Sequence, residues 1–275
     1  VSMPALLRVY RDYIRQAGFV RFEQPHCTVY VAPAAKPLLR QHKAMELLRH
    51  LDVAPRPGRI QPLRGLWVMT ACHRRLSELM PVWQRQSRQG KIELIRRLGA
   101  TLGMVHSQRH SGTGDIVAPG TRPIGHYLLG LARKYHALAR GERAPFQVRE
   151  IAAAITGLWD NGGGTLTGNW RGFPPVRIWD SGLMIMDLSR ASYSEPLLDL
   201  VNLRPQVIGL DDIAFFWEYF LQGYCATGEL PANWRQKLEV LYKLKVLQAL
   251  AEGRYRKEAM DDWQSRWWEQ YDNYI

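Results

Sequence analysis

The chain lacks the marks of several large protein classes. Only three cysteines occur in 275 residues, Cys27, Cys72 and Cys225. They are far apart in sequence and odd in number, which argues against a disulfide framework or a zinc site and fits reduced thiols of a cytoplasmic protein. No apolar run reaches the ~18 residues of a transmembrane helix. The opening Val-Ser-Met-Pro-Ala-Leu-Leu-Arg has no basic region followed by an apolar stretch, so no secretory signal is expected. Neither a P-loop nor a G-x-G-x-x-G pattern occurs, so a bound nucleotide would have no glycine-rich phosphate cradle. No internal repeat or low-complexity stretch is apparent. Acid is also scarce, with 25 Asp and Glu against 37 Lys and Arg.

What is present is an ordinary globular balance, 46% apolar and 23% charged. The length suits one two-lobed domain or two close-packed ones. The net charge of +12 favours an acidic partner: nucleic acid, a phosphorylated glycan, an anionic membrane surface or an acidic protein. The alternative is a generally basic surface that keeps the protein in solution, because the cations are spread along the chain. Small clusters stand at Arg74-Arg75, Arg96-Arg97 and Arg254–Lys257. A nucleic-acid binder would rest on charge alone, without a recognisable module.

The periodicity predicts a helix over 3–17, strands over Phe19–Phe22 and Cys27–Val31, and an amphipathic helix over Leu38–Leu51. Arg59–Leu63 and Leu66–Thr70 bracket Arg64-Gly65 as a second hairpin. Helices are expected over Lys91–His106, 123–139, 146–159, Ile213–Thr227 and Asn233–Leu250. His106 reads as a helix-end histidine bonded to a neighbouring loop, since it has no metal-ligand spacing around it. The tail aromatics Trp263, Trp267, Trp268, Tyr271 and Tyr274 fit packing on the large lobe, a membrane interface or a partner groove.

The richest stretch is Gly162–Leu200. Val176–Trp179 and Leu183–Met186 flank Asp180-Ser181-Gly182, a hairpin signal. The hairpin runs into Asp187; Pro196 and Asp199-Leu200 follow, and the polar loop Thr167-Gly168-Asn169-Trp170 precedes it. Together these resemble the core of the aminoglycoside phosphotransferase and choline kinase group, and are also similar to bacterial lipopolysaccharide kinase-like proteins. The pattern there is H-G-D-x-x-x-x-N, a hairpin, Ile-Asp, then Pro and Asp-Leu. Thr167-Gly168-Asn169 stands at His-Gly-Asp, Met186-Asp187 at Ile-Asp, and Val105-His106 at a family Leu-His.

The resemblance implies an α+β, bilobal protein-kinase-like fold. A small β-rich N-lobe would span 1–72 and a larger, mainly helical C-lobe 73–275, with the catalytic-loop-like hairpin at 167–187. Trp67–Cys72 would be the interlobe hinge, with nucleotide against the backbone of Thr70 to Cys72. ATP and Mg²⁺ would be the cofactors, Asp187 the metal ligand and Asp199 a structural support for the loop.

Departures from the pattern decide the functional expectation. Asn169 stands at the catalytic-base position, and Pro174 or Pro175 at the metal-holding Asn. The expected strand lysine falls near Ala32-Pro33, with Lys36 the nearest substitute, and the helix acid aligns most simply with Gln41, although Glu46 lies on the same helix. Thr113-Gly114-Asp115 is a weaker alternative catalytic loop. The primary expectation is a pseudokinase acting as a binding or regulatory module, cytoplasmic or peripheral to the inner membrane. The rival is an active ATP-dependent small-molecule, sugar or lipopolysaccharide kinase with displaced catalytic groups.

Overall fold

The computed structural model describes residues 11–139, 147–159, 162–170, 175–179, 182–208 and 213–251. Pro174, the Asp180-Ser181 turn, the Arg254–Lys257 cluster and the tail aromatics, all singled out from the sequence, lie outside them, as does the first part of the helix expected over 3–17.

The N-terminal part begins with helix α1 (Arg11–Ala17) and strands β1 (Val20–Glu23) and β2 (Cys27–Ala32). Helix α2 (Ala35–Leu48) and a short 3-10 turn follow, then β3 (Arg56–Leu63) and β4 (Leu66–Cys72). The four strands form one antiparallel sheet in the order β1-β2-β4-β3. The β3–β4 turn takes the conformation its Arg-Gly sequence predicts. Arg64 and Gly65 both have positive φ, 53° and 76°, as a two-residue turn matched to strand twist requires.

Alternation on β2 and β4 gives the sheet two apolar faces. Val29, Val31, Leu66 and Val68 pack outward against Ile14 of α1. Tyr30, Ala32, Met69 and Ala71 face α2 and join the main core. The Leu38, Met45 and Leu48 stripe of α2 completes that layer, following helical spacing.

His73 to Leu76 connects this sheet to the rest of the chain. Short β5 (Ser77–Glu78), α3 (Leu79–Arg85) and the long α4 (Arg88–His106) follow. Two further helices, α5 (Ile124–Leu138) and α6 (Val148–Leu158), precede the strands of the predicted site. Strands β6 (Arg109–His110), β7 (Gly114–Asp115), β8 (Gly164–Thr167) and β11 (Ser192–Ser194) form a small sheet ordered β6-β8-β11-β7. The hairpin β9 (Val176–Trp179) and β10 (Gly182–Ile185) pairs with β5. The described chain closes with α7 (Leu197–Ile208), α8 (Ile213–Thr227) and α9 (Trp234–Ala251). No helix among the described residues is long and apolar enough to cross a membrane.

The α4–α8 crossing is close, and glycine makes it so. A β-carbon on Gly99 would collide with the Phe220 carbonyl, and one on Gly223 with the Arg96 carbonyl. These obstacles are backbone atoms and cannot rotate away. Gly223→Ala is therefore expected to destabilise the protein by ~1–3 kcal/mol through overpacking. Chemical denaturation checks it; Gly157→Ala, on a helix where a β-carbon meets open space, serves as the control and should stabilise by up to ~1 kcal/mol.

Candidate functional site

The inward positions of β2 are Thr28, Tyr30 and Ala32, all fully buried. None is basic, and Ala32 has no side chain long enough to reach a ligand. Tyr30 does reach across: its hydroxyl donates to the Met186 carbonyl at 2.8 Å. Burial holds the phenol far above its ordinary range, and Asp187 adds to the effect against an opposing pull from Arg21. The group therefore stays a protonated donor.

Gln41, on the buried face of α2, meets the same segment. Its Nε2 donates to the Met186 carbonyl at 3.1 Å and its Oε1 accepts from Leu188 N at 2.5 Å. A side-chain amide both donates and accepts, which an ionised carboxylate cannot do. Gln41 thus grips the backbone on both sides of Asp187, and no charge takes part.

Asp187 uses Oδ1 to accept from Ser189 N at 2.9 Å and Ser189 Oγ at 2.7 Å, closing its own turn. Its carbonyl accepts from Trp170 Nε1 at 2.7 Å, which ties the hairpin's end to the Asn169 loop. A cation here would depend on Oδ2 and water. Among the described residues, no three His, Cys, Asp or Glu side chains converge to hold a metal ion.

Asn169 sits one residue past Gly168 with a left-handed φ of 50°, a conformation Asn tolerates better than most residues. Its Nδ2 donates to Ser192 Oγ at 2.5 Å and to the Arg190 carbonyl at 3.3 Å. The amide is used here as a donor. A carboxylate would face that carbonyl with like-signed oxygen. Pro175, one of the two prolines aligned with the metal-holding position, lends its carbonyl to Met186 N at 2.9 Å.

The loop rests on a buried column. Asp199 Oδ2 accepts from Gly168 N at 2.7 Å and lies 3.2 Å from His106 Nε2; His106 Nδ1 is 2.9 Å from the Tyr224 hydroxyl. Asp199 is only 2% exposed, and its Oδ1 has no partner.

Further contacts join the two halves at the edge of the site. Arg177 on β9 makes a bidentate pair with Glu23 on β1, at 2.8 and 3.0 Å. Ile185 N donates to the Val53 carbonyl at 2.8 Å. In the connecting segment, the Arg74 guanidinium lies 4.3 Å above the Trp179 ring.

The remaining sequence candidates lie elsewhere. Lys36 pairs with Asp115 at 2.9 Å, and Arg40 grips the same carboxylate at 2.7 and 3.1 Å. Asp115, weighed above as an alternative catalytic acid, thereby anchors α2 to β7. Chiefly Arg40, with help from Lys36 and against partial burial, holds that carboxyl well below its usual range. Asp115→Asn is expected to lower stability at neutral pH by ~1 kcal/mol, the scale of a partly exposed ion pair. A depressed carboxyl stabilises fully above its unfolded pKa, near ~4, and loses the effect as pH falls below that. Unfolding curves for variant and wild type should converge in acid.

Thr70 and Cys72 lie within β4, paired to β2 on one side and bordered by β3 on the other. Trp67–Cys72, expected as the interlobe hinge, is part of strand β4 itself, and the segment joining the halves begins after it, at His73. That residue's N donates to the His26 carbonyl at 3.0 Å, and its Nε2 lies 2.9 Å from Thr28 Oγ1.

A four-stranded sheet with one helix, joined by a single segment to a helical body, has solved counterparts. A thermostable mutant of aminoglycoside phosphotransferase APH(4)-Ia superposes with a TM-score of 0.58 at 12% identity, covering 92% of this chain and 91% of its own. The fold is that of the aminoglycoside phosphotransferases and choline kinases. A choline/ethanolamine kinase family protein from Mesorhizobium loti gives a TM-score of 0.58 at 15% identity, covering 86% and 82%. The streptomycin–ATP ternary complex of APH(2")-IIa gives 0.55 at 12%, covering 91% of each chain. No protein-family model matches the sequence, and no curated protein does.

Within this phosphotransferase fold, Asn169, Asp187 and Asp199 come together around Gly168 and Trp170, while Lys36, Thr70 and Cys72 do not join them. Sequence reasoning missed Tyr30, the Arg177–Glu23 pair and the double grip of Gln41. Tyr30 carried a signal, because a large polar aromatic in the middle of an apolar strand needs a buried partner. Arg177 and Glu23 carried none, being far apart in the chain.

Proposed function

We propose that the protein uses the phosphotransferase fold to bind and regulate, and does not transfer phosphate. The observation that carries this reading is the neutral Tyr30–Gln41 grip on Met186 and Leu188. Kinases hold nucleotide phosphates with a strand lysine paired to a helix glutamate, and the inward face of β2 and the buried face of α2 offer only neutral side chains for that task. Three further features agree: an amide at the base position, acting as a donor; prolines at the second metal position; and one oxygen of Asp187 already spent on Ser189. Loss of a general base alone typically slows such chemistry ~10²–10⁴-fold. Asp187 with water would hold Mg²⁺ weakly unless a nucleotide supplied the other oxygens. The +12 charge makes an acidic surface the partner class, a phosphorylated glycan, an anionic inner-membrane face or a protein, met from the cytoplasm.

A second reading, an active ATP-dependent kinase, draws on the phosphotransferase names of the structural relatives and on the retained Asp187. ATP is a plausible ligand on either reading. A thermal-shift titration with ATP, with and without Mg²⁺ or Mn²⁺, separates them. The binding role expects no metal-dependent shift; a metal-dependent rise of several degrees favours the kinase.

A further inference from the structure

The sequence separates Cys27 from Cys72, but the fold places them face to face. They are direct partners in the β2–β4 ladder. In an antiparallel pair, hydrogen-bonded and non-hydrogen-bonded residue pairs alternate. The next pair outward is hydrogen-bonded, because His73 N donates to the His26 carbonyl at 3.0 Å. Cys27 and Cys72 therefore form a non-hydrogen-bonded pair, in which Cα atoms stand about 4.5 Å apart and side chains leave the same face. That spacing lies at the short end of the range of about 4.4–6.8 Å that disulfides span. Cys72 is exposed, Cys27 is half-buried, and both are free thiols. Cys27 Sγ makes only a long contact, 3.5 Å, to Gln24 Oε1. Cys225, on α8, is also exposed and free and supplies an internal control.

We propose that Cys27 and Cys72 are a redox-modification site, a dithiol that hydrogen peroxide converts to a cross-strand disulfide. The exposed Cys72 thiolate attacks a peroxide oxygen and the O–O bond breaks. Hydroxide leaves, takes up a proton and becomes water, and Cys72 is left as a sulfenic acid. The Cys27 thiolate then attacks that sulfur, the S–O bond breaks and a second water departs. Two thiols lose two electrons and two protons in all, and one peroxide becomes two waters. A small dithiol reverses the reaction by exchange.

The location gives the bond a consequence. Cys72 is the last residue of β4, immediately before the segment that connects the two halves of the molecule. His73, the first residue of that segment, already leans on His26 and Thr28 of the opposing strand. The oxidised form fixes the base of the connector to β2 covalently, whether or not the cleft turns over nucleotide.

The test treats the full-length chain with hydrogen peroxide, alkylates the remaining thiols under denaturing conditions and maps the peptides. The expected result is a Cys27–Cys72 cross-linked peptide, a mass two hydrogens lower, an alkylated Cys225 and full reversal by dithiothreitol. The melting temperature should rise by roughly 5–10 °C on oxidation, from closing a long loop. The rise should be absent in Cys27→Ser and in Cys72→Ser and retained in Cys225→Ser. Independent oxidation of Cys27 and Cys72 to sulfinic acids, or cross-links only between separate chains, would overturn the proposal. So would full alkylation of both after oxidant.

Discussion

Asp199→Ala is expected to cost about 3–5 kcal/mol of unfolding free energy, the largest single-residue loss among the variants considered. Asp199 Oδ2 satisfies Gly168 N and meets His106, all in a space closed to water. Hydrogen bonds to a charged group contribute ~1.5–3 kcal/mol each, and donors left buried without partners add their own desolvation penalty. Asp199→Asn should lose about half as much. It keeps an acceptor for Gly168 N and puts an NH₂ where Oδ1 now lies without a partner. Chemical denaturation measures both. A loss below ~1 kcal/mol for the alanine variant would mean that the column does not support the loop.

Gln41→Leu is the second large effect, ~2–4 kcal/mol. The volume is nearly kept, so the loss reports hydrogen bonding more than packing. Leu188 N loses its acceptor at a fully buried site, while Met186 keeps the Tyr30 hydroxyl. An orphaned buried donor typically costs ~1–3 kcal/mol, and the lost bond to Met186 adds to it. Gln41→Glu should be at least as damaging. It supplies the residue type that the resemblance expects on this helix but gives a buried carboxylate no lysine and sets it against the Met186 carbonyl. A well-folded Gln41→Glu protein that gained Mg·ATP binding would show that only this side chain separates the site from an active one.

The fold could be read from local sequence wherever short-range patterns decide it. Alternation on β2 and β4, the Arg64-Gly65 turn and the apolar stripe of α2 each follow from residues close together in the chain. The 176–186 ribbon was equally visible. The small sheet of β6, β7, β8 and β11 was not, because two of its strands are two residues long and its pairings join segments far apart. Gly164 held a faint clue: a β-carbon there would strike the backbone of Tyr193 and Ser194 on β11.

The site could be read in residue types and not in contacts. Asn169, Gln41 and the prolines stood out as departures from the resembling family's pattern, and the structure places Gln41 against Met186 and Leu188. Which side chains reach the segment around Asp187 depends on tertiary structure. Lys36, the nearest cation in sequence, turns to Asp115, whereas Tyr30, two residues before the expected lysine, crosses to Met186. Strand periodicity explains the difference, since Tyr30 and Ala32 share the inward face and only Tyr30 has the length. The cysteines show the same limit in reverse: far apart in the chain, they become neighbours once β2 and β4 pair.

The most direct test of the non-catalytic reading is a single-turnover assay with terminally labelled ATP and Mg²⁺ at protein excess, followed for hours and compared with a protein-free control. Label should stay on ATP, with neither released phosphate nor a labelled acceptor above the control. Stoichiometric loss of the terminal phosphate, abolished by Asp187→Ala in protein that still folds, would contradict it.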